Sequence, residues 1–482
     1  MSTDTDTDTD TNTDVGAVRP RRPVTHRFRR RFTAVVVVLA VVAALAAVAG
    51  SQQGPRLRSV SYDASDLVTR PAQRVILTAN QAVQRVPASA VRVSPAAAFS
   101  VTSSGNTVAV EFAGPLDYDR DYTLSIRGVR APGQAAASQL RTTIRTGSTD
   151  VLAVVPGRNG GADRIVRRDL GAAGIRTVYR AAGIAEYAVL ARSLVVLRND
   201  SSGHSAIDIV PLAGGVQDPS VPVERLSMPS PVGTAKALHA ADDGASFGFV
   251  YADTSSGRSE DVGLYDVDLT GTHQPEPVGV DGKPAIGATP LSVAQWAYVP
   301  RTESALVRTG TDDLVLVDMG GRNAPVRLGS ATYLHGFVGS GTTAVVETGT
   351  GIVQLDLTNG RRTALPTPAA STDQPYLGRI APLAEGRYLR LVGSTRTDGT
   401  LAARIVRVDG ARASRLAVTI PDDASVTAVC PSPNGQFVAL ATRSADGALV
   451  TVVDATSGAL EASLAGTAID WCTALPTGDE VG

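Results

Sequence analysis

From Val60 to about Arg145 apolar and polar residues alternate with period two. Tyr122, Leu124 and Ile126 alternate with Thr123, Ser125 and Arg127, and Val108, Val110 and Phe112 with Ala109 and Glu111. This is the pattern of strands buried on one face. Five or six such runs, divided by Ser-Gly-Asn and Pro-Gly turns, predict a small two-sheet β-sandwich over residues 60–146. After a short linker, Thr146-Gly-Ser-Thr149, the pattern changes. Runs such as Leu314-Val-Leu-Val317 and Ala344-Val-Val346 are apolar on both faces, which predicts strands covered on both sides.

The best-formed unit of this second region is Ser432 to Leu460. Two apolar runs, Phe437 to Ala441 and Leu449 to Val453, flank a Ser-Ala-Asp-Gly turn and end in Asp454-Ala-Thr-Ser-Gly458, which reads strand, hairpin, strand, turn. Weaker copies of the ending recur at positions 169, 211, 268, 318, 356 and 409, spaced 38–57 residues apart, with a Gly close behind each. An Asp side chain accepts a bond from the backbone two residues on, and Gly takes positive φ freely, so the pair suits a tight turn at a strand's end. Seven copies of a four-stranded unit predict a seven-bladed β-propeller over residues 149–476, because one such sheet cannot cover its own faces. The first copy begins at Asp150-Val-Leu-Ala-Val-Val155 without an inner strand. The unpartnered run Ala468 to Leu475 is therefore expected to lie beside it and close the ring.

The N-terminal pattern is different. Residues 3–14 repeat Thr-Asp and contain nothing to bury, so 1–31 reads as a disordered tail. Seven arginines between Arg19 and Arg31 precede an uncharged run, Thr33 to Gly50, with only Arg56 and Arg58 just beyond. That asymmetry predicts a transmembrane helix over 32–50 in the cytoplasmic membrane, with the N-terminus cytoplasmic, a stalk at 51–59 and the bulk of the chain extracytoplasmic. The alternative is a secretory signal cleaved near Ala49. A formal net charge of −1 provides no basic field for nucleic acid, which is not expected as a partner.

Candidate chemistry is sparse. Gly244-Ala-Ser246-Phe-Gly248 matches the G-x-S-x-G nucleophile elbow, but it aligns with Asn434-Gly-Gln-Phe-Val438, so Ser246 is expected in a turn entering a strand. Asp117, Asp119 and Asp121 begin like a calcium loop, yet Tyr122 replaces the required Gly and Gly128 the bidentate Glu. The histidines are too scattered for zinc spacing. No catalytic, metal or cofactor-binding residue is expected. Cys430 and Cys472 lie 42 residues apart at equivalent points of neighbouring repeats, and an exported chain permits a disulfide between them. The alternative is two unrelated buried thiols.

Val75-Ile-Leu77, Asn80-Gln81-x-Val83, Phe112-x-x-Pro115-Leu116 and Tyr122-Thr-Leu-Ser-Ile126 resemble the bacterial Ig-like domains of surface-layer and other envelope proteins, over Pro71 to Ile144. Ser432-Pro-Asn-Gly435 resembles the turn of Tol-type and WD40-like bacterial propellers. These resemblances imply an all-β, membrane-anchored binding or scaffold protein that presents a propeller to a protein or cell-envelope ligand. The alternative is an exported hydrolase or lactonase-like enzyme with its site at the propeller mouth.

Overall fold

The computed structural model describes residues 26–51 and 54–472, apart from positions 159 and 173 and residues 256–261, 281–290, 368–375 and 398–400. The tail at 1–25 and the end of the expected closing strand, 473–475, lie outside the described residues.

The first element is a helix, His26–Ser51. Among the described residues no helix is long and apolar enough to cross a membrane. This corrects the expected transmembrane helix over 32–50, and with it the membrane as a partner and the single-pass localisation.

Residues 57–145 form two antiparallel sheets. One orders its strands Leu57–Ser61, Arg74–Ala79, Thr107–Phe112 and Phe99–Ser104; the other orders Val91–Ser94, Asp121–Arg130 and Ala137–Arg145. Val75, Leu77, Val108, Val110 and Phe112 of the first pack against Leu124, Ile126, Leu140 and Ile144 of the second, all at most 1% exposed. The period-two alternation sets this face. Leu57–Ser61, inside the expected stalk, is already a strand of the sandwich, and Ser138 Oγ donates to the Pro55 carbonyl.

Seven further antiparallel sheets follow among the described residues, spanning 150–181, 184–225, 233–277, 295–330, 333–364, 376–415 and 425–465. Each sheet is open. A separate apolar core lies between each consecutive pair, and a seventh joins the last sheet to the first, with Val151, Ala153 and Val166 packed among Phe437, Ala439, Ala441, Val450 and Val452. The stack is therefore a closed ring. The predicted turns are its repeated fastening: a side-chain oxygen of Asp169, Asp268, Asp318, Asp356 and Asp454 accepts the N–H two residues on, at 2.7–3.0 Å.

The first sheet has three strands, ordered Ile175–Ala181, Asp163–Asp169, Asp150–Val155, with its inner edge open to the axis. Residues 466–472 run along that edge as a strap, not as the expected strand. Thr467 and Val154 exchange both backbone bonds at 2.8 Å, after which Ala468 turns away at φ +50°. From there side chains replace the ladder: Leu152 N–H donates to Asp470 Oδ1 at 2.8 Å, and Trp471 Nε1 donates to the Asp150 carbonyl at 3.1 Å. Cys472 is joined by a disulfide to Cys430 on the inner strand of the seventh sheet, with Cα atoms 4.9 Å apart.

Candidate functional site

The inner strands are irregular. Register shifts interrupt Ile184–Val189, Gly233–Ala240, Tyr333–Phe337, Tyr376–Ala384 and Ser425–Pro431. Bulges of this kind re-aim side chains. In the third sheet the bulge puts Ala237 at φ +52°, Glu186 accepts the N–H groups of Ala237 and Leu238 at 3.1 and 2.7 Å, and Trp296 Nε1 donates to the Ala237 carbonyl at 3.0 Å. His239 then stands edge-on to Trp296, with ring centroids 4.9 Å apart.

The C-terminal ends of the inner strands surround a cavity of 480 Å³ on the ring axis, to which all seven sheets and the strap contribute. Asp150, Asp242 and Asp470 line it, and no Arg or Lys is among its lining residues. Burial pushes Asp470 up to about 7; the Leu152 N–H opposes the shift and the Asp150 charge adds to it. Asp150 is also raised by burial, against the pull of Arg167, whose Nε is 3.3 Å from its carboxylate. His239 shows part of its ring to the cavity, but protein encloses it, and burial lowers it to about 4. It is neutral at pH 7.

Three hydroxyls of the wall are engaged. Tyr187 donates to the Ala468 carbonyl at 2.9 Å, and Tyr298 donates to Asp266, a carboxylate that burial raises to about 6. Ser432 Oγ donates to Asn434 Oδ1 at 3.0 Å and accepts the Phe437 N–H. The cavity therefore offers carboxylates and a neutral imidazole, and the Tyr298 hydroxyl is held by the Asp266 carboxylate.

The sequence candidates lie elsewhere. Ser246 is not a cavity residue, and its Oγ donates to Asp243 Oδ2 at 2.7 Å inside the turn that enters Ser246–Asp253. The two glycines of the elbow match have packing reasons: Gly244 has φ +71° against Ala191, and Gly248 lets Trp296 approach so closely that a Cβ would fall 2.6 Å from its ring. Asp117 pairs with Arg120, and Asp119 and Asp121 both face Arg145. Among the described residues no group of three or more His, Cys, Asp or Glu is placed to hold a metal ion. Cys472 lies in the cavity wall. The composition of the cavity was not visible in the sequence, because bulges decide which inner-strand residues reach the axis.

No protein-family model matches the chain, and no curated protein does. Similar solved structures are TolB-like and lactonase-like β-propellers. Periplasmic gluconolactonase from Pseudomonas aeruginosa is 13% identical, with a TM-score of 0.39, covering 67% of this chain and 97% of that one. TolB from Acinetobacter baumannii is 14% identical, with a TM-score of 0.35, covering 76% and 79%. A functionally unknown protein from Desulfotomaculum acetoxidans is 10% identical, with a TM-score of 0.41, covering 67% and 98%.

Proposed function

We propose that the chain is a binding protein in which a seven-bladed propeller, flanked by an Ig-like sandwich, takes a positively charged group of its ligand, an ammonium or guanidinium, into the axial cavity. The observation that carries this reading is the lining: three aspartates from two sheets and the strap, with no Arg or Lys among them. A cation entering such a site gains Coulomb attraction that the low-dielectric wall strengthens. The lactonase-like reading is less favoured, because the Tyr187 and Ser432 hydroxyls of the wall serve structural partners and burial raises the Tyr298 phenol, bonded to Asp266, well above its ordinary value instead of lowering it.

The test is titration calorimetry of the full chain with spermidine and with an arginine-terminated peptide, next to a glucono-lactone hydrolysis assay. Saturable amine binding that weakens by roughly tenfold or more in Asp150→Asn/Asp470→Asn supports the reading. Lactone hydrolysis abolished by Asp470→Asn, without amine binding, replaces it with the enzyme.

A further inference from the structure

The strap is the one part of the cavity wall that reaches its sheet from the far end of the ring, and its fastening is uneven. Up to Thr467 it is held by backbone, through the exchange with Val154 and the Gly466 N–H on the Ala448 carbonyl. From Ala468 to Cys472 no backbone ladder continues. Residues 468–472 are held by the Asp470, Trp471 and Tyr187 contacts, by the apolar side chains of Ile469 and Trp471, and by the disulfide. Ile469, Asp470, Trp471 and Cys472 all face the cavity.

The two sulfurs differ in access. Cys430 is 3% exposed within a paired strand, whereas Cys472 is half-buried and reachable through the cavity. If the strap leaves, the seam between the seventh and first sheets keeps Val151, Ala153 and Val166 packed on Phe437, Ala439 and Val452. It also keeps the sandwich's hydrogen bonds to Asn434 and Gln436, which lie outside the strap.

We propose that the Cys430–Cys472 disulfide is a thiol-sensitive latch on the cavity wall, and that its reduction by an external dithiol releases residues 468–472 and widens the cavity while the seven sheets stay folded. A thiolate of the dithiol attacks Cys472 Sγ, the S–S bond breaks, and Cys430 leaves as a thiolate that takes up a proton. The second thiol of the reagent then attacks the mixed disulfide, freeing Cys472 and closing the reagent into its own disulfide, so two electrons pass from dithiol to protein. The purpose of the opening rests on the ligand reading above; the opening itself does not, and the test reads it without a ligand.

The chain has two tryptophans. Trp471 is in the strap, and Trp296 is fully buried and serves as an internal reference. Treating the full chain with dithiothreitol is expected to raise acrylamide quenching of Trp471 by ~threefold, reversibly on reoxidation, with no change in Trp471→Phe. Backbone hydrogen exchange should rise by roughly tenfold in 468–472 and at Leu152 and stay unchanged in 184–415. A monothiol, glutathione, should be trapped on Cys472 rather than Cys430. An unchanged strap in the reduced protein, faster exchange throughout the ring, or equal trapping on both cysteines would each overturn the latch. Cys430→Ser/Cys472→Ser is expected to reproduce the reduced state; if that variant does not fold, the reduction of pre-folded protein still decides.

Discussion

Tyr118 of the sandwich stacks on Phe437 of the seventh sheet, with ring centroids 5.9 Å apart and planes 10° from parallel. Around the stack, Gln436 Oε1 accepts the Tyr118 N–H, and Asn434 Nδ2 donates to the Leu116 carbonyl at 3.0 Å. Burial raises the Tyr118 phenol to about 12. Val68 and Tyr118 join the apolar core of the ring's closing seam, so the sandwich is packed onto the ring at the place where the ring ends meet.

Tyr118→Ala should therefore loosen the sandwich from the ring, with a loss of about 3–5 kcal/mol, the usual cost of truncating a buried aromatic. The expected calorimetric trace changes from one cooperative transition to two. Asn434→Ala, which removes the bond to Leu116 and the bonds that Asn434 Oδ1 accepts from Ser432 and Gln436 inside its turn, should cost about 1–3 kcal/mol and leave a single transition. A single, unshifted transition for Tyr118→Ala would show that the stack contributes nothing to the coupling.

Asp470 makes stability depend on pH. Its folded pKa of about 7 lies above the ordinary 3.8, so between those values the folded chain holds a proton that the unfolded chain has released. Stability falls as pH rises across that window and levels off above it. Asp150 acts in the same sense, while His239, lowered to about 4 from 6.5, acts in the opposite one and loses stability as pH falls. The quantity to measure is therefore the difference between wild type and Asp470→Asn in denaturant titrations from pH 4 to 8. The variant should gain on wild type with rising pH, by about 4 kcal/mol between pH 4 and 8. A difference that does not vary with pH would mean that the carboxyl titrates in solvent.

Gly248→Ala and Ser246→Ala separate packing from catalysis within the elbow match. A methyl at Gly248 would press on the Trp296 ring and on the Tyr265 carbonyl, 3.0 Å away, so a loss of about 1–3 kcal/mol is expected. Ser246→Ala removes the bond to Asp243 and should cost about 1 kcal/mol without altering any ligand or substrate turnover. Loss of a hydrolytic activity in a folded Ser246→Ala protein would return Ser246 to the chemistry.

What the sequence shows of this fold is what repeats locally. The Asp turns at 268, 318, 356 and 454 could be read because donor and acceptor lie two residues apart, and the sandwich faces because Val108, Val110 and Phe112 alternate without a break. The strap was read only in part: its position beside Asp150–Val155 followed from a missing inner strand, but its detachment after Thr467 depends on Ala468 adopting positive φ, which no neighbour announces. The membrane span expected over 32–50 rested on hydropathy and arginine asymmetry, and among the described residues no helix is long and apolar enough to cross. The docking of Asn434 on Leu116 joins residues 318 positions apart, and nothing in either segment encodes the other.

The pairing of Val154 with Thr467 also sets an order in time. A ribosome makes the edge strand of the first sheet before the sheets that follow it, and the strap that covers that edge only after the seventh sheet is complete. Throughout that interval Leu152 and Val154 present an uncovered strand edge of the type that pairs with other chains. The nascent ring is thus most exposed to mispairing in its oldest part, and a holding chaperone would have its most persistent target there.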